Sequence, residues 1–476
     1  MSSLAYVNGQ AKSRRHRRRT LTAVTSALAA AVGLSLPSIT AVEAAPGGGT
    51  LEPQVLTVAE PLDPSAPTPS QTQIAALAAA HLDAAHVGAA SVSVRDLTSQ
   101  NELFAANPSG SLAPASTLKI LTATAALEVM GPGTTLTTTA VFARKDSTSG
   151  TVTLVAGGDT MLAPRQGLPG QVMGRAGIGD LAWQAAVELR RQGTETVRVQ
   201  LDDKIFSGPA VHADWGWSST TTWGAPTAPL AIMGGRAGNA FDGKTYVADP
   251  ALTAAGQFSR LLAQYGRDAS LGLPLLAVTG QVSRSGAPPG AKQIAVVESA
   301  PVRDLVTHLL RESDNTASEA LGRMTAVTAG QPGSFTGCTT TVRQALTDLG
   351  VPTTGLVMDD CSGLSHSSAV SAATLTATLG LAARPDAGEL GTVSRSLPVG
   401  GLQGTLTSRF NETAAAGNVR AKTGTLTGVT SLAGIVQTTS GRALIFAVVA
   451  NPGTSIWTDS ARASIDRFVT GLAGLA

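Results

Sequence analysis

Three short patterns in this chain combine residue types that can activate a hydroxyl. Ser116-Thr117-Leu118-Lys119 sets a serine three positions before a lysine. Ser313-Asp314-Asn315 pairs a hydroxyl with a carboxamide, and Lys422-Thr423-Gly424 supplies a second ammonium. On a helix, positions i and i+3 share a face, so the Lys119 amine can reach the Ser116 hydroxyl. A serine is a poor nucleophile until a base or relay sits beside it. Lysine serves as that base only when neutral. Desolvation and a nearby cation, for which Lys422 is the candidate, would lower its pKa. Ser116 at a helix N-terminus also gains from the helix dipole, and backbone N–H groups can hold a tetrahedral oxyanion. Ser313 suits a proton relay to a leaving amine, because a hydroxyl both donates and accepts. Asn315 can bind a peptide carbonyl and hold Lys119, while Lys422, Thr423 and Thr425 can hold a substrate carboxylate. The chemistry implied is acyl transfer through a serine.

Each pattern alone is weak. Chance supplies an S-x-x-K about 0.6 times in a chain like this one and a K-T-G about 0.1 times. A second S-x-N, Ser99-Gln100-Asn101, falls in an expected hairpin turn ahead of the nucleophile and is set aside. Order and context carry the assignment. The S-x-x-K opens a helical stretch, TLKILTATAALEVMG, that Gly131-Pro132 ends. The S-x-N lies between two amphipathic pieces in PVRDLVTHLLRESDNTASEALGRM, and the K-T-G lies in a strand-like segment, VRAKTGTLTGVTSLAGIVQT.

The remaining elements frame these motifs. QIAALAAAHLDAAHV has helical spacing, SVSVRDL and ELFAAN read as a hairpin, and RALIFAVVAN reads as a late strand before a closing helix, SARASIDRFVTGLAG. Between the first two motifs lie roughly 200 residues, enough for a separate domain. That stretch holds strand patterns in AVFARK, TVTLVAGGD and TVRVQLDD, and a helical one in LAWQAAVELRRQG. The expected organisation is an export signal at 1–45, a Pro-rich linker at 46–72, and a catalytic domain in two parts. Those parts are 73–136, with the S-x-x-K, and 298–476, with the other two motifs. A β-rich insert at 137–297 separates them.

Composition excludes several alternatives. Apolar residues make up 43% of the 476 and charged residues 14%, which argues against a disordered chain. Lys and Arg number 34 against 32 Asp and Glu, and five Arg and one Lys fall within residues 12–19, so the body is slightly acidic. That balance does not describe a nucleic-acid binder. Two cysteines exclude a four-thiolate metal site, and none of the six histidines forms an H-E-x-x-H, so neither metal nor other cofactor is expected. The basic run, the uncharged LTAVTSALAAAVGLSL and Val42-Glu43-Ala44 compose the three regions of an export signal. The alternative is an uncleaved anchor, the one membrane association expected. The protein is therefore expected to be exported: periplasmic, wall-associated or secreted.

With the motifs goes a wider likeness. The chain resembles the D-alanyl-D-alanine carboxypeptidases/endopeptidases of the low-molecular-mass class C penicillin-binding proteins over most of residues 75–470. LVAGGDTML is similar to the family's G-G-D-P-x-L segment and CSGLSH to its G-S-G-L-S-R; LDDKIF, YVADPA and GTLTSRF also resemble family segments. The resemblance implies an α/β, transpeptidase/β-lactamase-like domain, an antiparallel sheet with helices, split by an insert after the S-x-x-K helix. It implies Ser116 as acylated nucleophile, Lys119 as base, Ser313 and Asn315 as second motif, Lys422, Thr423 and Gly424 as third. The N–H groups of Ser116 and Thr425 would form the oxyanion hole. Peptidoglycan stem peptides would be substrates and β-lactams inhibitors. The rivals are a β-lactamase or esterase on the same scaffold and a catalytically weak wall-binding protein.

Departures from the family pattern mark further positions. Little sequence separates LAIMGG from YVADPA, so the insert is expected to lack one small subdomain. His366 stands where the family often has an Arg that grips a diaminopimelate carboxylate, and Asp202 is a candidate contact for a cationic substrate group. A solvated loop or strand end is the plain alternative for both. Cys361 replaces a family Gly. It could pair with Cys338, closing a loop that stabilises by roughly 3 kcal/mol, or both could remain buried thiols. His81 and His86 read as surface residues, and Trp215, Trp217 and Trp223 as loop packing.

Overall fold

The computed structural model describes residues 65–216, 223–239, 245–454 and 456–476. The expected export signal, most of the expected linker and Trp217 lie outside the described residues.

Two sheets organise the chain. The first has five strands, all antiparallel, in the order Val419–Leu426, Val429–Gln437, Ala443–Asn451, Ala89–Asp96, Glu102–Ala106. Strands from both ends of the chain thus share one sheet. The central strand Ala443–Asn451 is apolar at nearly every position because both its faces are covered. Side chains alternate across a strand. Leu444, Phe446, Val448 and Ala450 accordingly pack with Ile74, Ile465 and Phe468 from the helices Gln71–His81 and Thr458–Ala473. Ile445, Ala447 and Val449 join the opposite core with Leu121, Leu375 and Leu379 from the helices Lys119–Met130 and Ala372–Ala383.

The second sheet runs Ala277–Val278, Thr196–Asp202, Ser149–Val155, Thr137–Arg144, Lys292–Glu298, with Ser283–Arg284 also paired to Thr196–Asp202. Ser149–Val155 and Thr196–Asp202 are parallel, which requires a crossover. The helix Ile178–Arg191 is that crossover. Its Ile178, Leu181, Ala182, Ala185 and Leu189 form one apolar face, and with the helix Pro250–Gly266 it builds a separate core on this sheet. The stretch read as β-rich is therefore a mixed sheet backed by two helices. No helix among the described residues is long and apolar enough to cross a membrane.

Candidate active site

Ser116 sits in a tight 3₁₀ turn, Ala115–Leu118, that leads into the helix Lys119–Met130. The turn is held from the sheet side. The Thr117 and Ser431 hydroxyls both donate to the Pro114 carbonyl, at 2.8 and 2.5 Å. Ala115 adopts φ 47°, a left-handed conformation that costs an L-residue energy. A Cβ on Gly363 would lie 2.0 Å from the Ala115 carbonyl, so the loop after Cys361 presses directly on this turn.

Lys119 is fully buried below the serine. Its Nζ contacts three oxygens: Ser116 Oγ at 3.1 Å, Asn315 Oδ1 at 2.5 Å and the Ser362 carbonyl at 2.7 Å. Burial lowers its pKa to about 8, against the opposing charges of Asp360, Glu319 and Asp314. The sequence reading expected desolvation plus the charge of Lys422 to lower this pKa, and desolvation is the largest cause. Burial first, and then the Lys119 charge, push Lys422 well below its ordinary value, and the repulsion between the two ammonium groups is mutual.

The helix Val302–Glu312 ends at Ser313, whose φ of 57° turns the chain into the next helix, Asn315–Thr328. That sharp turn aims the Ser313 hydroxyl at Lys422, whose Nζ donates to it at 2.8 Å and to the Thr423 carbonyl at 2.9 Å. Asp314 caps the second helix by accepting from Ala317 N–H. Burial alone would raise Asp314, but the His308 hydrogen bond and charge, the Ala317 N–H and the Arg236 charge outweigh it and hold the carboxyl well below its usual range. Asn315 is gripped at both ends of its amide, since its Nδ2 donates to the Trp223 carbonyl at 2.7 Å.

The K-T-G strand Val419–Leu426 is the outer edge of the first sheet. Ala421 N–H donates outward to the Pro398 carbonyl. Antiparallel alternation therefore sends the Thr423 and Thr425 N–H groups to the same open edge. A Cβ on Gly424 would lie 2.1 Å from Ser431 Oγ, 2.5 Å from the Pro114 carbonyl and 3.1 Å from Ser116 N. Glycine at this position is what lets the strand close on the nucleophile turn.

These parts face one cleft of about 720 Å³, lined by Ser116, Ser313, Asn315, Thr423 and Thr425. Sequence reasoning missed several other lining groups: Arg236, Tyr246, His308, Arg311 and Thr405. Arg236 and Tyr246 form an antiparallel bridge across the short LAIMGG-to-YVADPA connection, which brings both to the cleft. It also missed the buried Glu319, pushed up to about 8 by burial and by the Asp360 charge. Helical spacing was an available signal, because Glu319 lies four residues after Asn315.

Asp202 and His366 do not line this cleft. Asp202 Oδ2 accepts from Ala287 N–H and closes a turn at the second sheet. His366 is exposed; the cleft residue of its loop is Leu364. Trp215 is buried and donates to Asp360, whereas Trp223 is exposed and lines the cleft. Cys338 and Cys361 are brought together as two buried thiols with Sγ atoms 2.8 Å apart. With Glu319 they are the group of potential metal ligands among the described residues. Two thiolates on one tetrahedral zinc stand about 3.8 Å apart, so this closer pair does not fit a shared ion.

Comparison with known proteins gives the chain a family. The model of the D-Ala-D-Ala carboxypeptidase 3 (S13) family matches residues 73–256 and 235–472. Carboxypeptidase DacB of Mycolicibacterium smegmatis is 36% identical over 437 residues, covering 90% of each chain. A carboxypeptidase of Mycobacterium tuberculosis is 34% identical over 415 residues, covering 86% of each. The crystal structure of penicillin binding protein 4 from Haemophilus influenzae superposes with a TM-score of 0.68 at 20% identity, over 84% of this chain and 99% of that one. It shares the fold. With its motifs on one cleft and its length matched nearly end to end, the chain belongs to the D-Ala-D-Ala carboxypeptidase 3 (S13) family.

Proposed function

We propose that this chain is an exported serine carboxypeptidase that removes the terminal D-Ala from peptidoglycan stem peptides through an acyl-enzyme on Ser116. The observation that carries the reading is the placement of Lys119 Nζ between Ser116 Oγ, Asn315 Oδ1 and the Ser362 carbonyl. A neutral amine keeps two N–H groups and one lone pair. The Asn315 and Ser362 oxygens can only accept, so they take the two N–H groups. The lone pair is then left for the Ser116 proton.

The steps follow from that arrangement. Ser116 Oγ attacks the carbonyl carbon of the terminal D-Ala–D-Ala bond as its proton passes to Lys119 Nζ. The Ser116 and Thr425 N–H groups meet the oxyanion. Ser313, hydrogen-bonded to Lys422, delivers its proton to the leaving nitrogen and is reprotonated by the proton that Lys119 took from Ser116; the C–N bond breaks, D-Ala departs and Lys119 is neutral again. Water then attacks the ester with Lys119 again as base, which restores Ser116 and frees the shortened peptide. A β-lactam presents a strained amide to the same serine, and a structure of the H. influenzae relative is described as complexed with a β-lactam.

Intact mass of the mature chain with benzylpenicillin, followed in time beside Ser116→Ala, tests the reading. The expected result is a lasting adduct of one penicillin that the variant lacks. Rapid loss of the adduct with penicillin hydrolysis would instead favour a β-lactamase. No adduct and no hydrolysis would sink the proposal.

A further inference from the structure

The cleft holds a cationic group that neither the acylation machinery nor any neighbour accounts for. Arg311, in the last turn of the helix Val302–Glu312, lines the cleft two residues before Ser313. Its side chain makes no hydrogen bond or ion pair among the described residues, and its Nε is fully buried without a partner. Glu312 lines the same cleft and forms no ion pair with it. The other cleft arginine, Arg236, already has Asp314 at 3.8 Å.

The charge of Arg311 is also felt by a second cation. Arg420 stands two positions before Lys422 on the K-T-G strand and likewise has no side-chain partner among the described residues. Burial, and then the charge of Arg311, pull its pKa down. The two guanidinium groups repel each other, and half-buried Arg420 is also penalised for lost hydration. Such a pair is stable only at a cost that a bound anion would remove.

The place of Arg311 says which anion. Its stem packs on Gly404: a Cβ built there would lie 3.1 Å from Arg311 Cγ. The next residue, Thr405, accepts a hydrogen bond from Thr423 Oγ1 at 2.9 Å. Arg311, Thr405 and Thr423 all line the cleft, with the two hydroxyls at its K-T-G end. A guanidinium fork beside two hydroxyls matches a carboxylate.

We propose that Arg311, backed by Arg420, is a specificity-determining residue that receives the free C-terminal carboxylate of the substrate beside Thr405 and Thr423. The inference rests on the proposed acyl-enzyme reading and deepens it: it explains why the site would act at a chain end. A helix C-terminus also stabilises a cation without any ligand, so the test must read charge recognition rather than folding.

Benzylpenicillin and its methyl ester share one reactive amide and differ in one carboxylate. Acylation rates with each are measured by intact mass for the wild type, Arg311→Gln and Arg311→Lys. The wild type is expected to favour the free acid strongly. Losing a charge-assisted hydrogen bond to the guanidinium should shrink the acid-to-ester ratio about tenfold or more in Arg311→Gln, with Arg311→Lys between. A folded Arg311→Gln whose ratio stays within about twofold of wild type would overturn the inference. Should that variant not fold, Arg311→Lys is decisive on the same ratio, and no change there overturns it equally. A wild type acylated by neither compound refutes the acyl-enzyme reading itself, and this inference with it.

Discussion

Acylation should speed up as pH rises through about 8, because the proposed base must lose its proton first. Lys119 is fully buried with a pKa lowered to about 8. At that value about one-tenth of the molecules carry a neutral amine at pH 7 and about nine-tenths at pH 9, roughly a tenfold gain in the competent fraction. Had the amine kept its ordinary value of 10.5, the rate would go on climbing about tenfold per unit past pH 9. Glu319 ionises in the same range, so the wild-type rise belongs to two coupled steps. Its charge raises the Lys119 pKa. Glu319→Gln removes that charge and leaves an oxygen to accept the Cys361 N–H, now bound at 3.0 Å. The midpoint should then move to lower pH and the rise become a single step. The assay is the second-order rate of penicillin adduct formation between pH 6 and 10, with Ser116→Ala giving the background. A flat or falling profile across pH 7–9 would refute Lys119 as the base.

Three further outcomes follow from the packing around the site. Gly322→Ala would place a Cβ 2.4 Å from Cys361 Sγ; overpacking of this kind should cost about 1–3 kcal/mol, read as a lowered urea midpoint. Asp96 is buried under the Arg442 guanidinium, with Nε at 2.5 Å and Nη2 at 2.7 Å. Arg442→Ala should lose about 3–5 kcal/mol, and replacing both partners by apolar residues should recover most of it; equal losses in the two variants would contradict this account. Asp159 is fully buried and its pKa is pushed up to about 7 by burial. A carboxyl raised in the folded state stabilises fully below its ordinary value near 3.8 and loses that contribution as pH rises through about 7. Relative to Asp159→Asn, the wild type should therefore lose melting temperature between pH 4 and 7; parallel curves for the two proteins would rule this out.

Much of the fold was legible because its elements are locally consistent. RALIFAVVAN reads as a strand, and the segments either side of Ser313 are amphipathic enough to be read as two helices. The insert was less legible. Its strands were visible, but the parallel pairing of Ser149–Val155 with Thr196–Asp202 depends on the crossover helix docking on the sheet, which no local pattern states. Nor did local patterns reveal the cleft walls. Arg236 and Tyr246 reach the site only because two loop segments bridge. Asp202, singled out for its place in LDDKIF, instead closes a turn at the second sheet.

The sequence by itself determined which groups could react. A serine and a lysine one helical turn apart, a hydroxyl beside an asparagine and a lysine before Thr-Gly specify acyl transfer, because residue type and short spacing fix the available chemistry. Only the tertiary structure decided how those groups are tuned. Ser116 and the K-T-G strand approach one cleft because the sheet gathers strands from both chain ends, and Gly424 lets it close on the nucleophile. The lowered pKa of Lys119 comes from burial among helices and loops distant in sequence, set against the carboxylates of Asp360 and Glu319. Desolvation and Coulomb forces depend on what lies within a few ångströms in space, and a linear pattern carries no record of that.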